Sequence, residues 1–256
     1  MKGLQHFYVL NYSKWKRWLF IILLAFFTAT FLWFENNGTF SVLSTGKEVS
    51  ALKKGNPNEP NLSLTFNISW GEEKIHDILK ELEEHKVTAT FFVSGEWAER
   101  HPDLIKEITE GKHELGMLGY RYKSYLDQDI DQFRKDLFKA QEVFRKLGYD
   151  NMRLLRTPSG HFNKEILELA EKLGFQVVHW NINPNDWQNP GTQVIIDHVM
   201  EKSSNGDIIL LHASDSVKQT ADALKVILPG LKNKGFQFVS ISELINQAHA
   251  ESHLVE

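Results

Sequence analysis

Past residue 60 the chain alternates short apolar runs with amphipathic stretches, and this alternation limits the fold more than any other feature. LSLTF (62–66), ATFFV (89–93), HELGML (113–118), LLR (154–156), QVVHW (176–180), DIILL (207–211) and FQFVS (236–240) read as strands. Ile75, Ile78, Leu79 and Leu82 share one helical face within 72–85, and Ile130, Phe133, Leu137, Ala140, Phe144 and Leu147 recur at helical spacing before Gly148. Further helices are expected at 97–108, 166–173, 194–200 and 221–231, and Ser240-Ile-Ser-Glu243 has the form of a capping box opening a last one. About seven strands separated by helices imply an α/β architecture with a parallel sheet covered on both faces. Periodicity leaves a (β/α) barrel and an open doubly wound sheet equally open, and no phosphate-binding glycine loop favours the second. In both, chemistry belongs at the C-terminal ends of the strands.

The N-terminus is of another kind. WLFIILLAFFTATFLWF (18–34) carries no charge and, at about 1.5 Å per residue, spans ~25 Å. Lys14, Lys16 and Arg17 precede it and Glu35 follows. The positive-inside rule then gives a single-pass anchor in the cell membrane: a basic cytoplasmic segment at 1–17, lipid contact through 18–34, and the rest on the outer face. A cleaved signal peptide is the alternative, but no A-x-A site follows the run. Residues 35–60 mix Asn, Gly, Ser and Pro without a period and read as a stalk, so the folded domain is expected at 61–256.

Outside the four basic residues of 1–34, 25 basic residues face 33 acidic ones, which speaks against a nucleic-acid partner. The chain has no cysteine, so thiolate nucleophiles and thiolate metal sites are excluded, and any metal must sit on His, Asp or Glu. Just past the strands stand Asn67 to Trp70, Leu118 to Tyr122, Arg156 to Gly160, Asn183 to Trp187, and Leu211-His212. Singly these have plain explanations: a satisfied strand-end histidine, a turn-capping aspartate, a surface arginine, a core tryptophan. Jointly, His212 after an apolar strand and Asp186-Trp187 on a neighbouring loop can form a carboxylate–imidazole couple suited to general acid chemistry.

TFNISWGEE (65–73), FFVSGEWAERHPDLI (91–105), LLRTPSGHFN (154–163), NPNDW (183–187) and DIILLHASDSVKQTADAL (207–224) carry a resemblance covering 61–256. In order and spacing the chain resembles the polysaccharide deacetylases with a NodB homology domain, carbohydrate esterase family 4, and among them the membrane-anchored sporulation members. The resemblance implies a distorted (β/α) barrel and metal-dependent removal of N-acetyl groups from a polymer such as peptidoglycan. The family's general base and first metal ligand, consecutive aspartates, correspond to Asn67 and Ile68, and its two histidine ligands to Leu118 and Tyr122. Three family motifs persist. Arg156, with Pro158 and Gly160, stands where the family orients its base, Asp186 and Trp187 where it tunes the acid histidine and walls the groove, and Leu211 and His212 where it supplies that acid.

The departures have chemical consequences. Ile and Leu donate no electron pair, and Asn67 cannot accept a proton at usable pH, although it can still hydrogen-bond Arg156 or a sugar. No cofactor is therefore expected here, whereas the family uses a divalent metal such as zinc. His113, His161, Tyr120 and Asp215 lie near the matched motifs as conceivable replacement ligands but lack helical i, i+4 ligand spacing. Two functions follow as expectations: an atypical hydrolase working through Asp186, His212 and Arg156, or a non-catalytic protein gripping an N-acetylated glycan. The groove for the second comprises Trp70, Tyr120, Tyr122, Pro158, Gly160, Trp187 and Leu211, with Asn67 at its base.

Overall fold

The computed structural model describes residues 49–252 and, ahead of them, Leu23, Phe26 and Thr28. Apart from those three, the anchor expected at 18–34 lies outside the described residues, as do the cytoplasmic segment and residues 35–48. Among the described residues no helix is long and apolar enough to cross a membrane.

Seven strands are described, and all their pairings are parallel: β1 (Asn61–Ile68), β2 (Thr90–Val93), β3 (Glu114–Met117), β4 (Leu154–Leu155), β5 (Gln176–Val177), β6 (Ile208–His212) and β7 (Gln237–Phe238). Their order is β5-β4-β3-β2-β1-β6, with β7 also on β1. The helices are α1 (Lys74–Glu84), α2 (Gly95–Arg100), α3 (Pro102–Glu110), α4 (Ile130–Lys146), α5 (Lys164–Lys172), α6 (Thr192–Lys202), α7 (Thr220–Asn233) and α8 (Ile241–Ser252). The capping box forms as the sequence predicts: Ser240 N–H donates to Glu243 Oε2 at 2.8 Å, and Glu243 N–H to Ser240 Oγ at 3.2 Å.

The central strand shows why the sheet curls around a partly polar interior. All eight residues of β1 are buried. Leu62, Leu64, Phe66 and Ile68 join the apolar core that includes the α1 and α7 side chains. The alternate residues face into the curl. There Thr65 Oγ1 donates to Ile209 O at 2.7 Å and Ser63 Oγ to Val239 O at 2.9 Å, so their burial leaves no orphaned hydroxyl.

The sheet is a curled parallel half-barrel, with the β5 side reaching around toward β6. Past β5 the chain crosses over, and Ile182 bridges Ile209 in parallel, with Leu210 N–H donating to Ile182 O at 2.9 Å. Residues 49–60, assigned above to the stalk, are tied to the domain. Leu52 exchanges backbone hydrogen bonds of 2.8 and 2.7 Å with Val177 and His179 along the outer edge of β5. The Lys54 ammonium meets the buried Asp207 carboxylate at 2.7 Å. An open strand edge needs partners for its peptide groups, and an irregular segment meets that need without any sequence period.

Candidate functional site

The cavity at the C-terminal mouth of the curl measures about 660 Å³, and Asn67, Trp70, Tyr122, Trp180, Trp187 and His212 are among its lining residues. Asn67 and His212 are register partners on β1 and β6, so their side chains stand on one face, one strand spacing apart.

Behind Asn67 lies Arg156, fully buried at the end of β4. Its guanidinium donates to Asn67 Oδ1 at 3.0 Å, Val178 O at 3.3 Å and His179 O at 3.2 Å. It also lies 3.9 Å from the centre of the Phe92 ring. Burial pushes Arg156 down to about 9, which leaves it cationic at neutral pH. Because a guanidinium has only donors, it fixes the Asn67 amide: the oxygen faces Arg156 and the NH₂ faces away. No buried side-chain nitrogen or oxygen among the described residues lacks a partner, so this NH₂ reaches solvent through the cavity.

Asp186 is buried in a short 3₁₀ turn flanked by Asn185 and Asn189, both left-handed, a conformation asparagine tolerates. It accepts three hydrogen bonds, each of 2.8 Å, from His212 N–H, His212 Nδ1 and Thr220 Oγ1. The carboxylate fixes the tautomer, Nδ1–H toward Asp186, and leaves Nε2 on the cavity side.

Asp215 controls the loop that carries Trp70. Its carboxylate accepts from the backbone N–H groups of Glu72 at 3.0 Å, Glu73 at 2.8 Å and Lys74 at 2.9 Å, capping α1. The approach demands glycine at 71: φ is +81°, and a Cβ there would lie 2.3 Å from Asp215 Cγ. Burial pushes the Asp215 carboxyl up, but the three N–H donors together outweigh it and hold the group below its ordinary value. A carboxyl lowered on folding stabilises above its unfolded pKa and loses that contribution as pH falls. D215A should therefore cost about 1 kcal/mol at pH 7, the usual value of a lost helix cap. The gap to wild type in urea melts should close below about pH 4; a gap independent of pH would refute this role.

The structure brings together most of the expected site. Asn67, Trp70, Tyr122, Trp187 and His212 line the cavity, with Arg156 and Asp186 directly behind. Four expected groove residues are elsewhere. Leu211 points outward into the helix-facing core, because β6 alternates and Leu210 and His212 take the inner face. Tyr120 is buried, its hydroxyl donating to Glu99 Oε2 at 3.0 Å. Pro158 and Gly160 are buried, and their neighbours Ser159 and His161 line the cavity instead. Gly160 packs so closely that a Cβ would lie 2.3 Å from the Trp180 ring. Sequence reasoning misses Trp180; its place as the last residue of the QVVHW run is the available signal.

The donor set does not fit the family's metal. Ile68 and Leu118 are 0% exposed, Ile68 in the helix-facing core and Leu118 in a cluster with Phe92 and Leu154, while Tyr122 lies 45% exposed on the rim. Among the described residues no group of three or more His, Asp or Glu could hold a metal ion. Of the replacements, Asp215 is engaged by the three amides, and burial pushes His113 down to about 4 where its Nδ1 receives Ala89 N–H at 3.2 Å.

Comparison with known proteins agrees with this geometry. The polysaccharide deacetylase family profile matches residues 54–178. A peptidoglycan-N-acetylglucosamine deacetylase of Bacillus cereus is 32% identical over 195 residues, covering 75% of this chain and 91% of the relative. The protein YlxY of Bacillus subtilis is 30% identical over 194 residues, or 76% of this chain, which spans 60% of that relative's length. Among solved structures, BA3943 of Bacillus anthracis, described as a carbohydrate esterase family 4 pseudoenzyme, superposes with a TM-score of 0.72 at 30% identity, covering 77% of this chain and 69% of that one. A mutant of BA3943 is described as having restored enzymatic activity. Sequence identity across nearly the whole B. cereus enzyme, joined to the parallel curl and the Arg156, Asp186 and His212 constellation at its mouth, has one consequence: this chain belongs to the polysaccharide deacetylase family, carbohydrate esterase family 4.

Proposed function

We propose that this chain is a catalytically silenced deacetylase that holds an N-acetylated glycan strand of peptidoglycan in the cavity at the mouth of the curl. The observation that carries the reading is a selective loss. The metal-ligand and base positions hold Ile68, Leu118, Tyr122 and Asn67, while the cleft keeps its aromatic walls and polar floor. Without the metal and the base there is no activated water to attack the acetyl carbonyl. Exposed Trp70, Tyr122 and Trp187 suit the apolar faces of sugar rings, and Asn67, Asn183 and Ser214 suit their hydroxyl rims. The same reading assigns 18–34 as a membrane anchor and places the domain on the outer face, with the cell wall as its surroundings. A role in sporulation, as in membrane-anchored members of the PdaB kind, rests on the sequence resemblance.

The test is retention of the full-length chain on purified peptidoglycan. W187A should weaken retention about fivefold or more, because removing a half-exposed stacking ring costs roughly 1–3 kcal/mol. Equal retention of W187A and wild type would remove the cleft from the function. A second reading, residual hydrolysis, is favoured by the intact 2.8 Å Asp186–His212 contact. It requires acetate release from the wild-type chain that H212A abolishes.

A further inference from the structure

Resting on that glycan-binding reading, we infer that Asp136 is a positioning residue of the cleft, holding the loop after β3 in the shape that stands the Tyr122 ring on the rim. Asp136 is no part of the cavity lining, so it acts on the glycan through Tyr122.

Packing does not fix that ring. Arg121, Tyr122 and Lys123 are all exposed. The loop is fixed instead at its two ends, and by one carboxylate. Asp136, on α4, accepts the Tyr120 N–H at 2.8 Å and the Arg121 N–H at 3.1 Å on one side of Tyr122, and the Tyr125 hydroxyl at 2.9 Å on the other. Hydrogen bonds to a carboxylate are about twice as strong as neutral ones, and here three converge. Burial, then the charge and hydrogen bond of Asp136, push the Tyr125 hydroxyl well above its ordinary value, which keeps it a donor.

The clamp stands on a packed base. Tyr125 is buried, its ring centre 4.4 Å from that of Phe133, which lies on α4 one turn before Asp136. From the other side the first residues of α2 brace the loop: Gly95 N–H donates to Gly119 O at 2.8 Å and Glu96 N–H to Tyr120 O at 2.9 Å. Asp215 holds the Trp70 loop after β1 in the same way, and β2 separates β1 from β3. Two walls of the cleft therefore rest on backbone amides gathered by a carboxylate from another element. Without Asp136 its donors turn to water, the exposed segment samples many shapes, and the glycan must order the ring as it binds.

The test is a double-mutant cycle read as the affinity of the full-length chain for purified peptidoglycan. Y122A should weaken binding about fivefold or more, as loss of a stacking ring does. D136A should weaken it about threefold or more, the cost of ordering a side chain and its loop on binding. In the Y122A background D136A should then change affinity by less than about twofold, whereas in the W187A background its full factor should persist. A merely structural role lowers the melting temperature and leaves the affinity of the folded chain unchanged. If D136A is unfolded at the assay temperature, D136N takes its place: its amide oxygen keeps the Tyr120 and Tyr125 bonds at Oδ2 and loses only that of Arg121. The same pattern with a smaller loss is then expected. Wild-type affinity in the folded Asp136 variant, or an undiminished loss in the Y122A background, overturns the positioning role and leaves glycan binding in place. Wild-type affinity in Y122A alone does the same, and in both Y122A and W187A it overturns the glycan-binding reading as well.

Discussion

The variant N67D/I68D/L118H/Y122H should take up about one zinc per chain and release acetate from N-acetylglucosamine oligomers at least about 10²-fold faster than wild type, which should retain far less than one metal. By the sequence resemblance the four positions are those of the family's base and ligands, and none of them presents a carboxylate or imidazole side chain. The variant also carries a stability cost. Ile68 and Leu118 are fully buried, so placing a carboxylate and an imidazole there forfeits packing and desolvates polar groups, at several kcal/mol in total. Against a typical stability of 5–15 kcal/mol, the metal-free variant should melt far below wild type, and zinc should raise its melting temperature by restoring partners to those groups. I68D/L118H/Y122H separates the two losses: it should bind zinc yet release acetate ~10²-fold or more slowly than the quadruple variant, for want of a base. A folded quadruple variant that holds one zinc and releases no acetate would show that something beyond the missing donors silences the site.

Much of this architecture is legible in the sequence because burial enforces a period. The strands of β1, β2 and β6 read directly as apolar runs, and Ser240 and Glu243 announce α8 by a short-range hydrogen-bond pattern. His212 and Asn67 are found by following strands to their ends. What is illegible depends on phase or on distant partners. The motif resemblance puts Leu211 in the groove, whereas a period of two puts its neighbours Leu210 and His212 there, a slip of one residue that reverses a side chain. The segment 49–60 reads as a stalk because isolated bridges at Leu52 and Lys54 and one ion pair at Lys54 leave no pattern in the chain. The direction of the Asn67 amide is set by Arg156, 89 residues away, and no local rule supplies it.

Replacing Asp186 by alanine should cost about 3–5 kcal/mol and lower the melting temperature by roughly 10 °C, a far larger effect than a vestigial catalytic residue would produce. The buried carboxylate serves three donors, the His212 backbone N–H, the His212 ring and the Thr220 hydroxyl, and alanine leaves all three without their acceptor. D186N is the informative contrast. The backbone N–H and the hydroxyl both use Oδ2, so an amide oxygen in that place can keep both bonds. The amide NH₂ then takes the place of Oδ1 and donates to His212 Nδ1, forcing the ring into the Nε2–H tautomer. The asparagine variant should therefore lose no more than about 1.5 kcal/mol while its imidazole ¹⁵N spectrum shows the tautomer exchanged. If D186A melts with wild type, the carboxylate is not holding the loop after β5 to the end of β6. If it melts as expected and D186N does not, structural demand alone accounts for the acid–imidazole couple, with no reaction needed to explain it.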